Sequence, residues 1–545
     1  MIQDNPKKVF LIPVEFFENE GFLERLTNQL AHFRARIRSG ELKEIVQDEL
    51  NAFFIACMSS ALSDDKKTEA QLLFYGTLNF YAQQYRSAQT FKNIIKAFES
   101  NDLKQKLFSK FPTRAKMTYA ETLFQYYSLI KNNEPIFSFD KTDLLIQAKY
   151  YLWKVYIHHI EQKTRLSKLD LSHCLTILSM CLGELSRWFE PLYYLQEAKS
   201  QVQQNPNVAY SRALILETIK EKTCLNFNAV LVLSIIDSCR EAVKRPAILP
   251  QQKEQLQKME LAGRKFLAKQ KQSAAKIRAH RSKIQKAFKT YSAYRKFCIH
   301  EQLYLNEHSL FCNCAKATAD TLRVETSHAH TKIPWVKQFE NLIDVFVADF
   351  SLARQNYYYS QDDVKLPRLI AKSHQRHQTE SLEKAALLKN SFKAFYSLLD
   401  QIGHAVFQVF GIDANSELQK KFPDGNQRPK LYFLNMWDFE LLNEDLFSKN
   451  FYLISLYSIS QDLNNSKYAA LKDFKTIRNG MEHKLFCIGE ELDEAPVIEG
   501  ISYYTKHELS QKNRILMILT KSAIMSFTYL VRRQSRILQT HEPHE

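Results

Sequence analysis

Only 11 glycines and 14 prolines punctuate these 545 residues, and after Pro250 no proline occurs before Pro334. Long periodic apolar stretches fill the intervals. Such a chain has few places to break a helix, so it is expected to be all-α. The length suffices for two or three domains, each with its own core. The 37 phenylalanines and 26 tyrosines supply bulk for the crowded interfaces of a large helical array.

Residues 1–247 read as stacked helical hairpins. In the clearest unit, Leu175 to Ala198, Leu182-Gly183 lies in a first helix, Trp188 at the turn, and Tyr194 with Ala198 in a second. This unit resembles a tetratricopeptide repeat, and Gln71 to Ser100 is a more degenerate copy. One hairpin cannot bury its apolar face alone, so stacking is forced and leaves a curved surface, either the seat of a regulator or trigger protein or a spacer with no ligand.

Residues 248–290 are expected to form a long basic connecting helix. Between Lys244 and Lys296 there are 16 basic residues and only Glu254 and Glu260 as acids, a net +14 within a chain of +16. Charge so concentrated is the footprint of a phosphate backbone, and Lys276, Arg278, Arg281 and Lys283 are the candidate RNA-binding residues. A solvated helix kept soluble by its charge is the plainer reading. A thin apolar seam (Leu256, Met259, Phe266, Ile277, Ile284, Phe288) suits a single neighbour.

The polar N-terminus lacks a secretion signal, and the apolar run from Ala229 to Ile236 is too short to span a bilayer. A soluble, cytoplasmic protein with no membrane partner is the expectation. The nine cysteines are scattered and odd in number, so they read as reduced. Cys312-Asn313-Cys314 precedes His328-Ala329-His330, but neither pair has the spacing usual for zinc. Core cysteines and loop histidines are the better reading, with no metal and no cofactor expected.

Residues 291–545 should form a helical bundle. Gly411 to Pro429 reads as a loop, Leu485–Ile488 and Val497–Tyr504 can pair as a small β-hairpin, and a final helix runs from Asn513 to Gln534. Within the bundle, a helix from about Tyr468 to Leu485 buries Ala469, Leu471, Phe474 and Ile477. It carries Arg478-Asn479-Gly480-Met481-Glu482-His483. Histidine can take and give a proton near neutral pH, and arginine grips a phosphate with a planar fork of donors. Asn479 and His483 share a helix face; equally, Arg478 can simply pair with Glu482 at i,i+4.

This motif and its surroundings resemble the HEPN superfamily of ribonucleases, whose site is an Arg–x4-6–His motif, often with Asn after the arginine. Leu471 to Lys484 is similar to the catalytic helix. Leu387 to Ile402, Tyr294 to Cys298, Leu303 to Asn306 and Ala353 to Tyr357 are similar to a branch with N-terminal tetratricopeptide-like repeats. The resemblance implies Arg478, Asn479 and His483 as catalytic residues of a defence- or toxin-type RNA endonuclease. It also implies a homodimer with facing motifs, acting without metal on single-stranded or loop RNA, tRNA among the candidates. A non-catalytic repeat-based adapter, or an RNA-binding protein whose bundle only dimerises, remains the alternative. Gly480 departs from good helix formers at a cost of about 1 kcal/mol relative to alanine.

Overall fold

The computed structural model describes residues 14–17, 20–131, 137–223, 228–245, 248–271, 274–324, 334–366, 379–412, 432–438, 442–489 and 501–541. The chain is all-α apart from one two-stranded sheet among the described residues. It divides into two compact units, residues 1–135 with 140–155, and residues 136–139 with 156–545. The boundaries expected at 247 and 290 therefore do not coincide with the division between units.

The first unit holds α1 (Phe22–Ser39), α2 (Lys43–Ser59), α3 (Asp64–Gln84), α4 (Ala88–Glu99), α5 (Asn101–Lys110), α6 (Pro112–Ile130) and most of α7 (Phe139–Ile160). Leu26, Leu30, Phe33 and Ile37 recur at helical spacing on α1 and bury against Val46, Leu50, Phe53 and Cys57 of α2 and Phe74 and Tyr81 of α3. Tyr119 of α6 stacks on Phe98 of α4 with ring centroids 5.0 Å apart. Helices α1 to α6 each pack on near neighbours in sequence.

The second unit begins with α8 (Lys168–Glu184), α9 (Pro191–Gln201), α10 (Pro206–Lys222), α11 (Ala229–Val243), α12 (Pro250–Lys269), α13 (Ala274–Phe288) and α14 (Ala293–His300). It continues with α15 (Pro334–Tyr359), α16 (Thr379–Val409), α17 (Glu444–Lys449), α18 (Tyr452–Leu463) and α19 (Asp473–His483). Strands β1 (Leu485–Gly489) and β2 (Ile501–Thr505) and helix α20 (Lys506–His541) complete it.

The long basic helix is two helices. α12 ends at Lys269, Lys271 takes a left-handed φ of 51°, and α13 starts at Ala274. The break has a packing cause: Leu267 and Ile277 both bury against Val232, Leu233 and Ile236 of α11. A continuous rod would leave one of those faces in water.

The expected hairpin is not one. β1 and β2 do pair, but in parallel, from Leu485 opposite Ile501 to Gly489 opposite Thr505. A tight turn can only reverse the chain into an antiparallel partner, so a parallel pair excludes a hairpin. The part of the expected second strand from Val497 to Gly500 lies outside the described residues. The loop expected over Gly411 to Pro429 lies, from residue 413 onward, outside the described residues.

α20 is the axis of the bundle and packs against α15, α16 and α18. By length and composition Lys506–Ile537 could cross a membrane, yet its most apolar window is 94% buried inside the protein. Its apolar surface is core. The charges it carries are tied inward: Arg514 donates to Glu301 at 2.8 Å, Arg532 to Glu307 at 2.8 Å, and Lys521 to the carbonyl of Gln302. At the turn between α8 and α9, Arg187 is fully buried. It donates to both oxygens of Glu190, at 2.8 and 2.7 Å, and to Asp462 at the end of α18. Buried charges persist only when paired in this way.

Candidate active site

The motif helix α19 starts at Asp473, not near Tyr468, because residues 464–472 form a turned approach whose Leu471 N–H donates to the Asp462 carbonyl at 2.8 Å. Ala469, Leu471, Phe474 and Ile477 are all buried, the first two from the turned approach and the last two on the helix, and Met481 joins them. Phe474 meets Phe392 of α16 with ring centroids 5.7 Å apart. Lys512 of α20 fixes the helix start by donating to Asp473 at 2.7 Å and to Glu161 at 2.6 Å. Near the other end, a Cβ built on Gly480 would lie 3.4 Å from Ser502 Oγ and 3.5 Å from Phe486, so the small sheet rests against this glycine.

The three motif side chains come together on one rim. Arg478 Nη1 donates to Asn479 Oδ1 at 3.2 Å and pairs with Glu482 Oε2 at 3.1 Å. His483 Nε2 lies 3.7 Å from that same Glu482 oxygen, and its side chain is 72% exposed. One carboxylate oxygen thus stands between the guanidinium and the imidazole. The Arg478–Glu482 pair spaced i,i+4 is present, so Glu482 occupies part of the Arg478 guanidinium.

Behind the rim is a polar row that the motif alone does not reveal. Tyr396, Asp400 and His404 recur every four residues on α16 and so lie along one face. The Arg478 guanidinium sits 5.9 Å from the Tyr396 ring centroid. The Tyr396 hydroxyl is buried without a hydrogen-bond partner among the described residues. Asp400 accepts the Phe433 N–H at 3.2 Å. Burial pushes its carboxyl above the usual range, against the opposing pull of that N–H, Arg478 and His404. Gly403 permits the arrangement, since a Cβ there would come within 2.8 Å of Phe433 Cα. The four-residue recurrence is the signal that sequence offers for this row, within a segment that resembles a bundle helix.

The candidate RNA-binding residues are placed less convergently. Lys276 and Lys283 are exposed on α13, while Arg278 donates to Asp237 of α11 at 3.0 Å. The Arg281 side chain lies outside the described residues. Glu260 engages both Arg240, at 2.7 Å, and Arg264, and Glu254 engages Lys258 at 2.7 Å. A groove of about 550 Å³ remains, where Arg240, Lys244, Arg245 and Arg278 outnumber Asp237 and Glu241. Cys312 and Cys314 are buried, as expected, and His328 and His330 lie outside the described residues.

Against known proteins, residues 328–534 match the LA2681-like HEPN family. No curated protein and no solved structure matches the chain. The matched span holds α15 to α19, both strands and most of α20, so the Arg478–His483 motif lies within a HEPN-like domain, a family generally associated with ribonuclease activity.

Proposed function

We propose that the protein is a metal-independent RNA endonuclease whose catalytic residues are Arg478, Asn479 and His483, acting in a cleft shared by two copies of the chain. The observation that carries this reading is the display of an Arg–x4–His motif on the rim of α19, within a HEPN-like domain, with guanidinium and imidazole at one carboxylate oxygen. Cleavage by the neighbouring 2′-hydroxyl needs one group to remove its proton and another to protonate the departing 5′-oxygen. It also needs positive charge at the phosphorane-like state. Arg478 supplies the charge once RNA phosphate replaces Glu482. One histidine serves one proton task, and a two-fold axis brings in the second copy's His483 for the other. Asn479, hydrogen-bonded to Arg478, holds the guanidinium fork in orientation. Asp400 and Tyr396 position Arg478 from beneath. DNA lacks the 2′-hydroxyl and resists.

The Arg478–Glu482 ion pair and the well-exposed His483 also favour a second reading, an RNA-binding or adapter protein whose bundle only dimerises. End chemistry separates the two. Incubated with single-stranded and loop RNA in EDTA, the protein should leave 2′,3′-cyclic phosphate and 5′-hydroxyl ends. Binding without turnover supports the second reading. A strict Mg²⁺ requirement with 5′-phosphate products overturns the proposed chemistry.

A further inference from the structure

A second constellation lies outside the motif. His308, Cys312 and Cys314 place one imidazole nitrogen and two sulfurs within 4.8 Å of one another. Sequence spacing hid this set, because the cysteines pair with a histidine upstream of them, not with those downstream. Local folding explains the approach. A short 3-10 turn, Glu307–Leu310, carries His308, and the Cys312 N–H donates to the His308 carbonyl at 3.0 Å, bringing residues four apart to one side. Cys314 then opens the next turn, with its carbonyl accepting from Ala317 N–H at 2.9 Å.

A net of hydrogen bonds fixes the loop's path. The Asn306 side chain accepts from His308 N–H at 2.7 Å and donates to the Lys316 carbonyl and to Thr321 Oγ1, each at 2.6 Å. Ser309 Oγ donates to the Asn306 carbonyl at 2.6 Å, and Leu305 N–H to Asp320 at 2.8 Å. Arg354 holds Asp320 from α15 with two bonds of 3.0 and 2.7 Å. The His308 ring is fixed edge-on to Phe311, centroids 5.0 Å apart, with Nδ1 3.4 Å from the Asn228 amide nitrogen. Both cysteines are buried, Cys312 at 7% and Cys314 at 9% exposure.

We infer that His308, Cys312 and Cys314 bind a zinc ion that cross-links the two short turns of the 303–322 loop to each other. With Zn–S near 2.3 Å and Zn–N near 2.0 Å, the edges of a tetrahedral site are about 3.3–3.8 Å, so each side chain closes by under about 1 Å. Two thiolates and a neutral imidazole cancel the ion's charge, which makes burial tolerable with no further carboxylate. Soft sulfur with imidazole selects zinc over magnesium or calcium. Cys312 also borders a cavity of about 360 Å³ lined by Ser309, Phe311, Gln285 and Phe288, with room for a water as fourth ligand. The site takes no part in the chemistry proposed at Arg478 and His483 and stands or falls apart from it.

Metal analysis and cobalt substitution of the full chain, purified without metal-affinity steps, test this. The isolated protein should hold about one zinc per chain through gel filtration. Stripped and titrated with cobalt(II), it should develop a thiolate-to-cobalt charge-transfer band. Cys312→Ser and Cys314→Ser should each roughly halve that band, and His308→Ala should alter the ligand-field bands. Cys487→Ser, at an exposed cysteine on β1, should leave the spectrum unchanged. If the serine variants do not fold, the wild-type spectrum decides alone. A wild-type chain with neither zinc nor a charge-transfer band overturns the inference. So does a band that survives in the double serine variant, or a Cys312–Cys314 disulfide whose reduced form takes up no cobalt.

Discussion

The motif helix and the basic segment announce themselves in the sequence in opposite ways, one by six residues and the other by sheer charge. Folding treats them differently. On α19 the motif side chains converge on one carboxylate oxygen and gain a row of partners on α16. In the basic segment the run of cations is cut in two, and Glu254, Glu260 and Asp237 neutralise part of it. A sequence displays its cations plainly but hides which carboxylates the fold will bring to them. Charge counted along the chain is therefore an upper bound on the field at the surface, whereas a short motif can be richer than it looks.

The largest effect should come from the motif. His483→Ala is expected to lower RNA cleavage by at least about a hundredfold, the usual scale of a lost general acid or base. Arg478→Ala should do the same while RNA binding persists. A mixed dimer with one His483→Ala copy should lose most of its activity, because one cleft serves one scissile bond. Retention of half the activity in that isolated heterodimer would mean each copy carries a complete site.

Asp400→Asn tests whether the α16 row belongs to the site. Its folded carboxyl titrates above the ordinary 3.8, mainly through burial, so the folded state holds the proton more tightly than the unfolded chain does. The charge carried at neutral pH then opposes folding. That penalty is absent below the unfolded value and complete above the raised one. The asparagine variant should melt higher than the parent at pH 7, with the gap closing as pH falls towards 3.8. Its cleavage rate should drop about tenfold, as expected when a group that orients a catalytic side chain is removed. A variant both less stable and fully active would show that Asp400 only braces Phe433.

Charge reversal at Lys276, Arg278, Arg281 and Lys283 bears on the other half of the comparison. Removing one cation–phosphate pair should flatten the salt dependence of single-strand binding by about 0.7. Lys276 and Lys283, which are exposed, should contribute more than Arg278, which is engaged by Asp237. Equal contributions from all of them would show that the internal pairing is too weak to matter.

Smallest of all should be Gly480→Ala. The added methyl meets Ser502 and Phe486 at ordinary van der Waals distances, so helix propensity should dominate, with a gain of up to about 1 kcal/mol in thermal or denaturant unfolding. A loss would show that the sheet's approach leaves no room. Gly403→Ala, by contrast, should destabilise, because the Phe433 backbone lies within 2.8 Å of the new carbon.

Helix content and the inward face of the motif were legible because periodic apolar spacing is local information. Phe474, Ile477 and Met481 are buried where the 3.6-residue period puts them, while Ala469 and Leu471 are buried from the turned approach that precedes the helix. The paired strands were legible, but not their direction, because alternating apolar residues look the same in parallel and antiparallel pairs. The break after Lys269 was hidden because neither Gln270 nor Lys271 is a turn former; burial of Leu267 and Ile277 on α11 decides it. Asp400 and Tyr396 were hidden because their significance lies in Arg478, some eighty residues away, which only α16–α19 packing brings near. The apolar length of α20 was diluted by lysines and arginines whose partners are equally remote.

That last helix also sets a timetable. α20 supplies the Lys512 clamp on Asp473 and the core surface for α15, α16 and α18, yet it follows all of them and the motif in the chain. On a ribosome, Arg478 and His483 are polymerised and leave the exit tunnel before Lys512 does. A nascent chain at that stage holds the motif residues without the Lys512 clamp that fixes the start of their helix. If the proposed activity holds, the order of synthesis itself delays assembly of the site until the chain is almost complete.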